Sequence, residues 1–436
     1  MPGTSQLIQR QIAQAESGKA AATATTAATN LTRASVPAKS SGRLAESDRR
    51  VASTSAVLRA VLEHGPVARS TIARLTGLSP AAVTGHCAAL SDVGLLRDLP
   101  EQIQSNGVGR PHIPVDLDPA QHLAAAIHIA VPGTTVALVD LRGRVVAQDW
   151  HAHPDTEPLR VVQRAAEALA GLLQAHAHGS GATAVGVGVA AGGWVDRDSG
   201  TVVEHPMLGW QDVPLRDLLA EQVGLPVLVD GHARALLHAE RLFGQAERGR
   251  SILHLFIGNM VDAAFATRDR AHYGRRSQAG AVAHFPVADS AERCPCGRLG
   301  CLQAAVSERT LVHRAHDAGI IPAPRLELLV NAALDGDRAA VGLFIERGRL
   351  VGRATAMLVD VFSPDLVIVA EPGAAVLPEV VDAMRAELAA HTRTSFDVSR
   401  GLVPTSFPNA VLAIAGGSVV LDELFRNPLS LVGTAD

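Results

Sequence analysis

Three of the four cysteines in this 436-residue chain fall within eight positions, in the run Cys294-Pro-Cys296-Gly297-Arg-Leu-Gly300-Cys301. Gly297 and Gly300 permit tight turns, so three thiolates can converge on one centre. His284, ten residues before Cys294, can supply a fourth donor. Three thiolates and one imidazole form a closed tetrahedral set, the usual coordination of structural zinc, whereas a catalytic zinc keeps one position for water. Three small core thiols beside a chance histidine would give no reason for the clustering or for the glycine spacers. The expectation is one structural Zn2+ per chain, held by His284, Cys294, Cys296 and Cys301.

The length allows two or three domains with a sizeable core, and a hydrophobic content of 47% agrees. The net charge of −4 hides an asymmetry: residues 1–115 hold 12 Lys/Arg against 7 Asp/Glu, and the remainder 27 against 36. A basic front end on an acidic body suits a nucleic-acid-binding head joined to a sensor. Residues 1–48 are rich in Ala, Thr and Ser and lack an apolar core. They are expected to be disordered. No signal peptide or membrane span is legible, and thiols poised for metal imply a reducing cytoplasm. The remaining cysteine, Cys87, reads as a small apolar residue buried in a helix.

Residues 49–118 carry the pattern of a winged helix-turn-helix. Val57, Leu58, Val61 and Leu62 mark an amphipathic helix stopped at Gly65-Pro66. A short second helix over 69–76 is followed by Gly77, where a positive φ is easiest. Ser79 can cap a third helix with Pro80 in its first turn, and Val83, Cys87 and Leu90 face inward. That helix would enter the major groove by its amino-terminal turns. Its exposed positions Ser79, Pro80, Ala81, Thr84, Gly85 and Ala88 carry no charge. Base reading would rest on hydroxyl hydrogen bonds, contact with thymine methyls and water. Arg69 and Arg74 would hold phosphates. Residues 92–97 read as the turn into a β wing.

From residue 121 the pattern changes to strands over 123–131, 135–141 and 144–150, a helix over 158–177, and buried strands at 184–190 and 227–229. This is an α/β body. The zinc loop also carries a resemblance. Gly280-x3-His284 followed by Cys294-x-Cys296-Gly297-x2-Gly300-Cys301-Leu302 is similar to the zinc signature of the ROK family, which groups repressors, open reading frames and sugar kinases. The resemblance spans residues 54–429. It implies an actin-like, ribonuclease-H-like body of two lobes with a cleft between them. The expected lobes are 119–231 with 413–436, and 232–412 with the zinc loop and an oligomerisation surface. Gly107-Val-Gly109-Arg110-Pro111 resembles the Gly-Arg-Pro of family repressors, and Arg110 could enter a narrow minor groove or remain a solvated linker residue.

Against the kinases of that family, the phosphate-binding positions are altered. The Asp-x-Gly-Gly-Thr turn corresponds to His128-Ile-Ala-Val-Pro-Gly133-Thr134. The Gly-rich second loop corresponds to 257–264, where only Gly258 remains. Backbone amides approach phosphate closely only where side chains are absent, so ATP is not an expected cofactor. The catalytic aspartate of the kinases aligns with His232, and Arg234 replaces the following asparagine. Asp230, two residues earlier, is the alternative under a shifted alignment. Two carboxylates expected to contact a sugar align with Ala281 and Gln303. Gly193, His232, Arg234, His284 and Gln303 are the candidate ligand-binding residues, with Arg234 suited to an anionic effector such as a sugar phosphate.

The resulting expectation is a transcription factor that is not an enzyme, a repressor binding a double-stranded inverted-repeat operator as a homodimer or homotetramer. Two alternatives stay open: an active sugar kinase with an added head, and a regulator controlled by a protein partner.

Overall fold

The computed structural model describes residues 39–102, 113–247, 249–268, 270–287 and 291–432. The amino-terminal 38 residues and Arg110, with the rest of its Gly-Arg-Pro arm, lie outside them. The first helix, α1 (Lys39–His64), begins inside the stretch expected to be disordered, so residues 39–48 are helical. From Arg43 to His64 no glycine or proline interrupts good helix formers, which explains the difference.

Two shorter helices follow, α2 (Arg69–Thr76) and α3 (Pro80–Asp92). Gly77 ends α2 at φ 71°, with its amide bonded to the Ala73 carbonyl. Ser79 starts α3 by accepting from the Ala82 amide at 3.2 Å. Ile72, Val83, Cys87 and Leu90 are buried with Val57, Leu58 and Val61 of α1. A three-stranded antiparallel sheet flanks the helices, with Pro114–Leu117 between Val67–Ala68 and Leu96–Asp98.

The body repeats one sheet topology twice. In the first lobe His122–Ile129 pairs antiparallel with Gly133–Asp140, which pairs antiparallel with Val145–Ala152. On its other side it runs parallel to Thr183–Ala191, which runs parallel to Val227–Gly231. The second lobe has the same order: Ile252–Ile257 with Val261–Thr267 and Arg270–Ala271 on the antiparallel side, and Leu366–Ala370 and Leu402–Pro404 on the parallel side. Two mixed sheets with helices between their strands make the body α/β, as expected.

The last helix, Val411–Arg426, lies on the first-lobe sheet, burying Val419, Val420 and Leu421 against Ala126 and Val139. The approach is close enough to require glycine: a Cβ on Gly188 would sit 2.1 Å from the Gly416 carbonyl oxygen. A helix from His232 to Phe243 follows the first-lobe strand Val227–Gly231, and its start faces the second lobe. No helix among the described residues is long and apolar enough to cross a membrane.

Candidate functional site

Where the His232–Phe243 helix begins, a cavity of about 200 Å³ opens between the lobes. This is smaller than the roughly 300–1,000 Å³ of ordinary ligand clefts and limits an occupant to one small molecule. Gly193, His232, Arg234 and His284 line it, as do Ala281, Met260, Trp194 and Gln278. Gln303 does not. Its amide is spent on the turn beneath: Oε1 accepts from the Val261 amide at 2.8 Å, and Nε2 donates to the Asn259 carbonyl. It supports the wall from behind.

Arg234 is committed elsewhere too. Its Nε donates to Asp230 at 2.6 Å, Nη1 to the Ser277 carbonyl at 2.9 Å and Nη2 to the Val195 carbonyl at 3.0 Å. The residue is 6% exposed. Among the described residues lining the cavity it is the sole Lys or Arg, so the site offers no free cation to an anionic ligand. Two carboxylates line the cavity instead. Asp262 accepts a 2.8 Å bond from His232 Nε2, and Glu204 is the second. Asp262 lies in the stretch 257–264 aligned with the second kinase phosphate loop. Its place beside His232 depends on the turn at 258–260, which sequence order does not reveal. Asp230 points away from the cavity. Arg234 and the neighbouring cations hold its carboxyl down to about 2 against the burial that would raise it.

The two turns aligned with kinase phosphate loops are closed on themselves. The Gly258 amide donates to the Met260 carbonyl at 3.1 Å, and the Ala130 amide to the Gly133 carbonyl at 3.0 Å. Met260 is buried against the cavity. Around His232 lie three further histidines that the sequence did not single out: His128, His205 and His254, at 1%, 0% and 0% exposure. His128 stacks on His232 at 5.9 Å. Both ring nitrogens of His128 and of His254, and Nε2 of His205, lack a hydrogen-bond partner. Burial, reinforced by the nearby His232, lowers the pKa of His128 and His254 to about 3 and that of His205 to about 4. His128 and His254 lie in strands that are buried along nearly their whole length, so no alternation in the sequence marks the way they point.

The metal-loop residues converge. The donor atoms of His284, Cys294, Cys296 and Cys301 all lie within 4.8 Å of one another. Cys294 Sγ is 3.5 Å from His284 Nδ1, and Cys296 Sγ is 3.6 Å from Cys301 Sγ. Donors at Zn–S and Zn–N bond lengths in a tetrahedron are about 3.5–3.8 Å apart, so the set fits zinc. The Arg298 backbone amide and guanidinium hold the Cys296 thiol down to about 6. Burial and hydrogen bonding to Cys296 push Cys301 up to about 11. Without a cation the thiols oppose one another's ionisation, and a bound dication would let all three serve as thiolates. The loop positions the cavity, because His284 belongs to both.

On α3 the side chains expected to face DNA are exposed: Ser79, Pro80, Ala81 and Thr84. Thr84 Oγ1 donates to the Pro80 carbonyl at 2.9 Å, leaving its oxygen lone pairs to solvent. Arg74 is exposed. Arg69 instead bonds Asp98 of the flanking sheet at 2.7 Å and braces α2 against it. Arg69→Ala should therefore cost at most ~1 kcal/mol of head stability, as for other partly exposed ion pairs. A urea titration checks this.

The ROK family model matches residues 124–411. A transcriptional regulator of Mycobacterium tuberculosis is 32% identical over 387 residues, covering 86% of both chains. The chain belongs to the ROK family. The DNA-binding transcriptional dual regulator NagC of Escherichia coli is 24% identical over 359 residues, covering 80% of this chain and 88% of NagC. The crystal structure of a ROK family transcriptional regulator, a homologue of the E. coli MLC protein, superposes with a TM-score of 0.71 at 20% identity. It covers 88% of this chain and all of that one. A ROK family glucokinase from Streptomyces griseus, in complex with glucose and AMPPNP, gives 0.59 at 24% identity, covering 67% of this chain and 98% of the kinase. The kinase likeness covers less of the ROK chain than the likeness to the regulator does.

Proposed function

We propose that this ROK protein is a DNA-binding transcriptional regulator, a repressor, whose kinase-like body senses a small molecule and performs no phosphoryl transfer. The observation that carries this is the surface of α3. A capped helix presents Ser79, Pro80, Ala81 and Thr84 to solvent beside a three-stranded sheet, which supports the reading as a winged helix-turn-helix. The names of the regulators it is similar to support the same reading. The operator would be an inverted repeat read by a homodimer or homotetramer. Binding should weaken steeply with salt. Arg74→Ala should reduce the salt slope by about one, and Thr84→Ala should relax sequence preference with little change in that slope. Fluorescence anisotropy over a salt series tests both. Binding that ignored salt and both substitutions would sink the assignment.

Closed phosphate turns and the absence of a carboxylate at position 232 support a body without kinase activity. Incubation with Mg-ATP and a hexose panel should yield no sugar phosphate; phosphorylation of any hexose would overturn this. With Arg234 committed, and with Asp262 and Glu204 as acceptors, the cavity suits a neutral polyol such as a sugar more than the phosphorylated effector the sequence suggested. One zinc held by His284 and the three cysteines would fix the wall at His284.

A further inference from the structure

We infer that a buried chain of charges, Arg234–Asp230–His238–Asp422, couples occupancy of the interlobe cavity to α1 of the amino-terminal head through Arg59. The inference rests on the reading of the cavity as an effector site, and it assigns that site a route to the head.

The route begins at the cavity wall. Ser277 to Ala281 line the cavity. Arg276 and Ser277 are consecutive non-glycine residues in the left-handed region, at φ 49° and 56°. Such a pair stays strained only while its neighbours hold it, and a ligand pressing on it can release it. Its holders come from the first lobe. Trp194 Nε1 donates to the Arg276 carbonyl at 2.8 Å, the Arg197 amide to Ser277 Oγ at 3.2 Å, and Arg234 Nη1 to the Ser277 carbonyl. Tyr273, just ahead of the strained pair, meets His238 Nε2 at 3.1 Å and also bonds Arg197.

From Arg234 the chain turns inward. Asp230, at 2.6 Å from Arg234, lies 3.8 Å from His238 Nε2, and His238 Nδ1 lies 3.4 Å from Asp422 Oδ1. Asp230, His238 and Asp422 are each at most 3% exposed. Burial works against a charge on His238, but Asp422 and Asp230 on either side outweigh it and raise its pKa. Asp422 sits in the last turn of the final helix. There it also meets Arg426 at 2.8 Å and Arg59 of α1 at 3.9 Å. The same turn holds α1 through its backbone: the Phe425 carbonyl accepts from Ser55 Oγ at 2.7 Å and from Arg59 Nε at 3.4 Å. A separate contact, Arg142 to Asp116 and to the Leu62 carbonyl, joins head and body without touching this chain. Interactions among buried charges are long-ranged, so moving Arg234 alters the energy at Asp422.

The test needs neither the effector nor the operator. In full-length protein, Ala281→Phe places a ring in the cavity where a ligand would lie, and hydrogen–deuterium exchange is followed in peptides covering residues 50–64. Ala281→Phe should change that exchange by about fivefold, a typical coupling, while peptides from 378–391 stay unchanged. In a His238→Gln background the response should vanish. Should His238→Gln not fold, Arg59→Gln cuts the last link outside the cavity and should abolish the response as well. No change at 50–64 with Ala281→Phe alone, or a full response surviving in these backgrounds, would overturn the inference. Because exchange is read without DNA, such a failure leaves the regulator assignment standing. Loss of that assignment would show separately, as absent DNA binding by the unsubstituted protein.

Discussion

Lowering the pH from 7 to 5 is expected to remove about 4–6 kcal/mol from the stability of the body. His128, His205 and His254 stay neutral in the native state, with pKa values lowered to about 3, 4 and 3 by burial and by His232. The unfolded chain takes up a proton on each below about pH 6.5. The unfolded state then binds more protons than the native one, so stability falls as the pH drops from about 6.5 towards these lowered values. At pH 5 each histidine contributes about 2 kcal/mol to the loss, and the sum rivals the whole stability of a typical domain. His238 acts in the opposite direction. Its pKa is raised, so its contribution is full below about 6.5 and fades as the pH rises through its native value. It offsets one of the three at most. Asp230 and Asp422 have lowered pKa values, and their contributions are lost only below about pH 4, outside this window. Urea titrations at pH 7 and 5 should show the drop. His128→Leu with His254→Leu should recover most of it, since apolar groups fill the same buried sites without a proton to refuse. Equal stability at both pH values would show that these histidines are solvated.

Removing the metal should have a comparable effect, confined to the second lobe. Structural zinc in small sites contributes on the order of 10 kcal/mol at neutral pH. Here Cys301 also caps the helix Leu302–Val306, which is wholly buried. Val287 bonds the Gly300 carbonyl at 2.7 Å, and the Gln303 amide bonds the Ala283 carbonyl at 2.8 Å. Loss of the centre would therefore release the wall from Gly280 to His284 together with the loop. Chelation, or Cys294→Ser, should lower the melting temperature and raise exchange across 280–303. Purified protein should carry one zinc per chain by elemental analysis. Zinc-free protein with an unchanged melting temperature would contradict the assignment.

The parts legible in the sequence were those fixed by local rules. Gly77, Ser79 and Pro80 placed the boundaries of α2 and α3 because capping chemistry is read within a few residues. The cysteine spacing announced a centre because glycine-separated thiols have little else to do. The run from 122 to 152 gave three strands to within about two residues, because Pro132-Gly133 and Arg142-Gly143 mark the turns between them. What stayed hidden depends on distant partners. Arg234 looked free until Ser277 and Val195 were seen to accept from it. Nothing near Arg69 in the sequence announced its ion pair with Asp98 at 2.7 Å. Gln303 aligned with a sugar contact, yet the turn at 259–261 consumes its amide. The histidines around His232 come from three strands far apart in the chain, so no window of sequence contains the cluster. The packing of α1 against Phe425 also changes how the head should be tested. Val57 and Leu58 share one core with Leu424 and Phe425, so deleting the head would expose the body, and point substitutions are cleaner.

The central claim, that α3 of this ROK protein reads DNA, is tested most directly by selection of genomic fragments with the purified full-length chain, compared with Ala81→Glu and Thr84→Glu. Both positions are exposed, so the substitutions should leave the fold intact while setting a negative charge against phosphate. The account predicts that the parent enriches a two-fold symmetric sequence and that each variant loses that enrichment. No enriched sequence with the parent, or the same sequence enriched equally by both variants, would contradict it.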